Sequence, residues 1–210
     1  MSVRIIAELG SCHMGRFDRI KEAIDICKDL GLDALKLQLF PNTAPYVPTN
    51  IYLKPELFTK AWQYGQKVGV PVTASVFDEN NLGFLMGHLP EFIKFSYGKK
   101  DQCQWIKQTL NLGIEAIVSC DVMTDHLVPK KATKLYCIPE YPVRYEVNFD
   151  ELFPRFDGFS DHTMGIKQTQ RAIDAGAKII EKHVRLGYAD ETCPDAFFAV
   201  NIRDLGRLKT

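Results

Sequence analysis

The chain has 210 residues, which is enough for one domain with a sizeable hydrophobic core. Hydrophobic residues make up 46% and charged residues 25% of the sequence, values that are ordinary for a globular protein. Lys and Arg together number 26, as do Asp and Glu, so no basic excess favours a nucleic acid or an anionic membrane as a partner.

The cysteines and the start of the chain predict a cytoplasmic location. Six cysteines are scattered along the sequence and no two of them form a CxxC pair, which indicates reduced thiols rather than a disulfide framework. The first residues run directly into a predicted strand without a signal peptide. No apolar run is long enough to span a bilayer.

Short apolar runs alternate with stretches of helical periodicity from one end of the chain to the other. The runs predict eight strands, over 3–9, 33–40, 70–76, 92–96, 114–119, 135–138, 156–159 and 177–180. Helices are predicted over 17–30, 55–68, 79–87, 102–112 and 166–175, with weaker helical segments over 122–128 and 145–153 and a last helix over 201–208. The proline-rich loop over 41–54 is typical of an active-site loop.

This alternation predicts a (β/α)8 TIM barrel of near-minimal length, formed by residues 1–210 as a single domain. The alternative is an open, doubly wound sheet. No glycine-rich phosphate-binding fingerprint follows the first strand, which disfavours a dinucleotide-binding fold of that open type.

Two histidines, His162 and His183, follow the last two predicted strands. Because the carboxyl ends of parallel strands meet at one face of a barrel, the two imidazoles are expected to approach each other there. Neutral imidazole is a common metal ligand, so the pair predicts a divalent metal site. In the alternative interpretation, His162 begins a helix and His183 pairs with Glu181 or Asp190.

Lysines and serines occupy the same strand ends, and together they predict an anion site for phosphate or carboxylate. They are Lys36, Lys94, Ser96, Ser119 and Ser160. A simpler interpretation pairs Lys36 with Glu8 in the core. Glu181 and Lys182 are adjacent, so only one of them can face the barrel interior and the other is expected to be structural.

Four segments carry motifs, in this order: IIAELGSCHMG at 5–15, ALKLQ at 34–38, FSDHTMG at 159–165, and IIEKH at 179–183 followed by CPD at 193–195. Together they resemble the sialic acid synthase (N-acetylneuraminate synthase) family. The resemblance spans nearly the whole chain, and SDHT followed by EKH is its most specific part.

The resemblance implies a transferase that condenses phosphoenolpyruvate (PEP) with a sugar aldehyde, typically an N-acyl hexosamine, and releases phosphate. It implies that His162 and His183 hold Mn²⁺ or Mg²⁺, which polarises the aldehyde oxygen, and that Glu8 transfers a proton. It assigns PEP binding to Lys36, Lys94, Ser96, Ser119 and Ser160. It assigns sugar contacts to Gln38, Tyr141 and Asp195.

Four positions depart from the family pattern: Cys12 and Pro139 stand where it has Asn, Tyr97 where it has Ser, and Lys99 where it has an acid. The family's C-terminal antifreeze-like domain has no counterpart in these residues, so we expect that specificity for N-acetylmannosamine does not carry over. Whether the chain forms a homodimer or uses a separate partner subunit is left open.

Three functions are compatible with these observations. The first is a PEP-dependent sugar acid synthase, favoured by His162, His183, Lys36 and Glu8. The second is a catalytically degenerate barrel that binds a sugar or sugar phosphate as a partner subunit, favoured by Lys99 and Pro139. The third is another metal-dependent aldolase or lyase.

Overall fold

A computed structural model describes residues 3–41, 52–187 and 193–209 of the chain. Eight parallel strands form one sheet: β1 (Arg4–Glu8), β2 (Ala34–Leu39), β3 (Val72–Val76), β4 (Phe92–Phe95), β5 (Glu115–Cys120), β6 (Thr133–Cys137), β7 (Gly158–Asp161) and β8 (Ile179–Arg185). Strand β1 pairs with both β2 and β8, so the sheet closes on itself. The prediction of a (β/α)8 barrel is confirmed, and the open sheet is wrong.

Helices cover the outside of the barrel: α1 (Phe17–Leu30), α2 (Pro55–Val68), α3 (Glu79–Gly87), α4 (Cys103–Asn111) and α5 (Lys167–Asp174). The first three have the predicted bounds because their termini carry clear signals. Gly31 ends α1 in the left-handed conformation with φ 63°, and Pro55 occupies the first turn of α2. None of the helices among the described residues is both long and apolar enough to cross a membrane.

Some weaker predictions differ from the structure. Residues 122–128 contain only the 3-10 helix Asp125–Leu127, and the last helix is the 3-10 helix Ile202–Lys209, preceded by a two-residue strand, β9 (Val200–Asn201). Residues 145–153, all described, contain no helix, and only 150–153 form a turn; Asn148 Oδ1 accepts a hydrogen bond from the Asp150 backbone, which competes with helix formation. Most of the predicted active-site loop, residues 42–51, lies outside the described residues.

The last two barrel strands extend further than predicted. Ser160 and Asp161 belong to β7, and Glu181, Lys182 and His183 all lie inside β8. The predicted strands stopped short of these charged residues, on the assumption that a charged side chain must reach solvent. Here they are buried and paired with one another, so the strands continue through them.

The barrel interior is divided into an apolar lower layer and a polar upper layer. The lower layer consists of Ile6, Ala34, Phe92, Ile117, Leu135 and Ile179. Side chains two residues further along a strand point to the same side, so the next inward positions carry the polar groups. At Gly158, which is level with Leu135 and Ile179 of the lower layer, a Cβ atom would overlap the Ile179 backbone. The larger apolar core lies between the strands and the helices.

Candidate active site

A cavity of about 470 Å³ opens at the carboxyl ends of the strands. This volume lies within the range of small-molecule sites, and this end of a parallel barrel is where ligands bind. Its walls are formed by Lys36, Gln38, Phe40, Ser75, Phe77, Lys94, Ser96, Tyr97, Gly98, Ser119, Cys137, Pro139, Tyr141, Ser160, His162, Glu181, His183, Pro194, Asp195 and Phe198. Of the predicted site residues, only Glu8 is missing from this lining.

Two lysines form the base of the cavity, and each is held by a serine. Lys36 Nζ donates to Ser75 Oγ at 2.7 Å, and Lys94 Nζ donates to Ser119 Oγ at 2.7 Å. Both lysines are almost completely buried. Register explains their proximity, because Ser75 on β3 is the direct strand partner of Lys94 on β4.

Glu181 lies between the two ammonium groups. Its carboxylate oxygens are 3.5 Å from Lys94 Nζ and 3.6 Å from Lys36 Nζ, and it accepts a hydrogen bond of 2.8 Å from Ser160 Oγ. Glu181 therefore faces the barrel interior. Its neighbour Lys182 points outwards and pairs with Asp161 at 3.1 Å.

Glu8 lies below the cavity surface. Its side chain is fully buried and contacts the ammonium group of Lys36, which connects it to the cavity. The simpler interpretation of Lys36 as a partner of Glu8 is thus part of the arrangement. Proton transfer by Glu8 stays a prediction. Glu8 does not line the cavity itself, and a proton would pass between them through Lys36.

Burial and neighbouring charges give Glu8 and Glu181 very different pKa values. Burial raises the pKa of Glu8 to about 8, although Lys36 acts against it. Burial also acts to raise the pKa of Glu181, but Lys36 and Lys94 prevail and lower it to about 2. Near neutral pH Glu181 is therefore ionised and Glu8 largely protonated. With both lysines protonated, the cluster carries an excess positive charge, which suits an anionic ligand.

His162 and His183 meet at the upper wall, with ring centroids 5.6 Å apart. His162 Nδ1 lies 2.9 Å from the Ile138 carbonyl oxygen, which assigns the proton to Nδ1 and leaves the Nε2 lone pair free. His183 Nδ1 is buried without a hydrogen-bond partner among the described residues. Burial lowers the pKa of His162, and lowers that of His183 to about 3, so both rings are neutral and able to coordinate a metal.

The three predicted sugar contacts, Gln38, Tyr141 and Asp195, all line the cavity. The Tyr141 ring packs against His162 with centroids 4.1 Å apart. Asp195 Oδ2 accepts hydrogen bonds from the backbone and hydroxyl of Ser11, at 2.6 and 2.7 Å. A Cβ at Gly10 would overlap this carboxylate, so glycine is required where the two segments meet.

Lys99, one of the four departures from the family pattern, lies away from the cavity. Lys99 does not line the cavity, and its ammonium lies 5.6 Å from the centroid of the Trp105 ring. Tyr97 and Pro139 do line the cavity, and the Tyr97 hydroxyl donates to Asp121 at 2.6 Å. The reversed charge at position 99 therefore lies outside the cavity wall.

Ser75, Glu181 and Phe198 are among the cavity residues to which sequence reasoning assigned no role in the site. Ser75 could have been found, since its strand places a serine level with Gln38 on the neighbouring strand. Glu181 could have been chosen over Lys182 from the two-residue period that His183 sets on the same strand. Phe198 lies in an irregular segment whose sequence carries no periodic signal.

The fold and the cavity define a (β/α)8 barrel with a polar site at the carboxyl ends of its strands. A family model described as the NeuB family matches residues 46–210, and the chain belongs to this family. The resemblance inferred from the motifs is thereby confirmed.

Individual relatives agree with this assignment. The chain is 28% identical to the N-acetylneuraminate-9-phosphate synthase of Homo sapiens, covering 87% of this chain and 62% of that protein. It is 26% identical to the N,N'-diacetyllegionaminic acid synthase of Legionella pneumophila, covering 87% and 64%. The crystal structure of the N-acetylneuraminic acid synthetase of Leptospira borgpetersenii, in complex with citrate, has a similar fold: the TM-score is 0.85 at 23% identity, covering 99% of this chain and 81% of that one. The chain thus spans about three fifths of the length of the curated relatives.

Proposed function

We propose that this protein condenses PEP with an N-acyl hexosamine-type aldehyde and releases phosphate, as a C–C bond-forming transferase. The observation that carries the proposal is the adjacency of two sites in one cavity. A cationic cluster of Lys36, Lys94 and serines lies at the base, and the neutral pair His162 and His183 lies at the wall. The names of the curated relatives, which are sugar acid synthases, support the same reaction.

In this proposal the cationic base of the cavity binds PEP. Its phosphate and carboxylate are both anions, and two buried ammonium groups can bind them at opposite ends of the cluster. The proposed contacts are Lys36, Lys94, Ser96, Ser119 and Ser160, joined by Ser75. The existing bonds from Lys36 to Ser75 and from Lys94 to Ser119 orient these groups before the ligand arrives.

His162 and His183 would hold a divalent metal, Mn²⁺ or Mg²⁺. The free Nε2 of His162 and the unpartnered buried Nδ1 of His183 support this assignment. No group of three or more His, Cys, Asp or Glu side chains within the described ranges is arranged to hold a metal ion, so water or substrate oxygens would complete the coordination. When bound, the metal supplies Lewis-acid polarisation of the aldehyde oxygen.

The remaining roles belong to the protein's own residues. Gln38, Tyr141 and Asp195 orient the aldehyde so that C3 of PEP attacks its carbonyl carbon, and water then adds at C2 before phosphate leaves. Glu8, with its raised pKa, returns a proton to Lys36 after Lys36, which lines the cavity, has donated its own proton to the bound ligand. We also propose that residues 1–210 act as one barrel domain. A cytoplasmic location is supported by six free cysteines.

A phosphate-release assay tests the function. The protein is incubated with Mn²⁺, PEP and a panel of N-acyl hexosamines and their 6-phosphates, and phosphate is measured with each component omitted in turn. We expect release that requires metal, PEP and one class of aldehyde together, and loss of release in Lys94→Met. Absence of release with every aldehyde, in protein that still binds PEP, would contradict the proposal.

A further inference from the structure

Two cysteines that are distant in sequence meet beside the cavity. The Sγ atoms of Cys12 and Cys193 lie 2.7 Å apart in a hydrogen-bonding contact, although the residues are 181 positions apart. A disulfide bond is ~2.05 Å long, so the two sulfurs would have to approach each other by about 0.65 Å to form one. Both side chains are buried, so each thiol has the other as its nearest reactive partner.

We propose that Cys12 and Cys193 form a reversible disulfide that fastens the segment 193–199 to the turn after β1. This modification site is separate from the proposed catalytic groups. The segment carries Asp195 and Phe198 of the cavity wall. The turn, Gly10–His13, already contacts the segment through the hydrogen bonds from Ser11 to Asp195.

The environment of the two sulfurs makes one of them the nucleophile. The hydrogen bond with Cys12 lowers the pKa of Cys193 to about 7, and Ser11 Oγ lies 3.2 Å from the Cys193 sulfur. The same sulfur–sulfur contact raises the pKa of Cys12. Cys193 is therefore the thiol with appreciable thiolate at neutral pH, and the thiolate is the reactive form.

Hydrogen peroxide is the oxidant proposed for this reaction, since it is small enough to reach a buried thiol. The Cys193 thiolate attacks one peroxide oxygen, the O–O bond breaks, and the products are a sulfenic acid and, after proton transfer, water. The Cys12 sulfur then attacks the sulfur of the sulfenic acid. The hydroxyl group of the sulfenic acid leaves and takes the Cys12 thiol proton, which gives a second water. Two thiols lose two electrons in total, and one peroxide is reduced to two waters. A dithiol reductant reverses the change.

Peptide mapping of the folded, full chain tests the proposal. After treatment with hydrogen peroxide under native conditions, we expect a dithiothreitol-reversible cross-link between the peptides that contain Cys12 and Cys193. Cys12→Ser and Cys193→Ser should abolish it. Cys103→Ser, at a more exposed cysteine, is the matched control and should retain it. If peroxide oxidises Cys103 in the parent without linking the two peptides, the proposal is wrong, whether or not the serine variants fold.

The effect of the disulfide on stability and on the mobility of residues 193–199 can be measured separately. Closing a loop of this length should raise Tm by about 5 °C or more in the oxidised parent, and dithiothreitol should reverse the rise. Hydrogen exchange in a peptide covering 193–199 should slow on oxidation. A cross-linked protein with unchanged Tm and unchanged exchange in that peptide would contradict the fastening role.

Discussion

The carboxylate of Glu181 lies 3.5 Å from the ammonium of Lys94, and both side chains are almost completely buried at the base of the cavity. The same carboxylate is 3.6 Å from the ammonium of Lys36, so one ionised acid is shared by two bases. Because burial raises the pKa of Glu8 to about 8, Glu181 is the ionised acid that faces the two lysines, and the cluster has an excess of positive charge when both lysines are protonated. An anion that enters the cavity therefore neutralises the positive charge of Lys36 and Lys94 that Glu181 leaves unbalanced.

Replacing Glu181 by Gln should destabilise the fold. The substitution leaves Lys36 and Lys94 without their shared counter-charge, and removing one partner of a buried ion pair costs roughly 3 kcal/mol. Urea denaturation at pH 7 measures the free energy of unfolding. Glu79→Gln, at an exposed position in the first turn of α3, is the control and should remain within about 0.5 kcal/mol of the parent. Equal stability of Glu181→Gln and the parent would show that Glu181 does not balance the lysines.

Glu8 should make stability depend on pH. Its pKa is about 8 in the folded state and 4.5 in an unperturbed glutamate, so between these pH values the folded state holds the extra proton. The free energy of unfolding contributed by Glu8 therefore falls as pH rises from about 4.5 to about 8. Glu8→Gln, which resembles the protonated acid, should gain stability relative to the parent as pH increases. Denaturation series at pH 5, 6.5 and 8 measure this, and a pH-independent difference would refute the raised pKa.

Lys94→Met should weaken PEP binding while the fold is preserved. The change removes a charged hydrogen-bond donor worth about 1.5–3 kcal/mol, so we expect roughly a 10- to 100-fold loss of affinity by isothermal titration calorimetry. Lys60→Met, at an exposed lysine on α2, is the control and should bind PEP like the parent. Unchanged affinity in folded Lys94→Met would remove Lys94 from the PEP site.

His183→Ala should lower the affinity for Mn²⁺ by roughly 10-fold or more, since even changes around a metal ligand have effects of that size. The free Mn²⁺ signal in electron paramagnetic resonance measures binding without any dependence on activity. His126→Ala, at an exposed histidine remote from the cavity lining, should bind Mn²⁺ like the parent. A matching loss in both variants would mean that the cavity histidines are not the metal site.

Sequence periodicity was sufficient for the barrel and for most of its helices. Helix bounds were correct for α1 and α2, where Gly31 and Pro55 mark a terminus, whereas α4 and α5 are each one residue shorter at both ends than predicted. Strand bounds were less accurate at β7 and β8, because polarity within a strand was interpreted as the end of the strand. Glu181 shows the reason: its charge is tolerated in the interior only because Lys36 and Lys94 reach it from β2 and β4.

The sequence by itself determined the alternation of strands and helices, the family motifs, and the residue types that converge at one end of the barrel. Only the tertiary structure decided that Glu8 lies beneath Lys36, that Lys99 lies outside the cavity wall, and that Cys12 meets Cys193. The physical reason is that these relationships depend on strand register and on contacts between residues up to 184 positions apart. The local periodicity of a sequence does not predict contacts between residues that far apart.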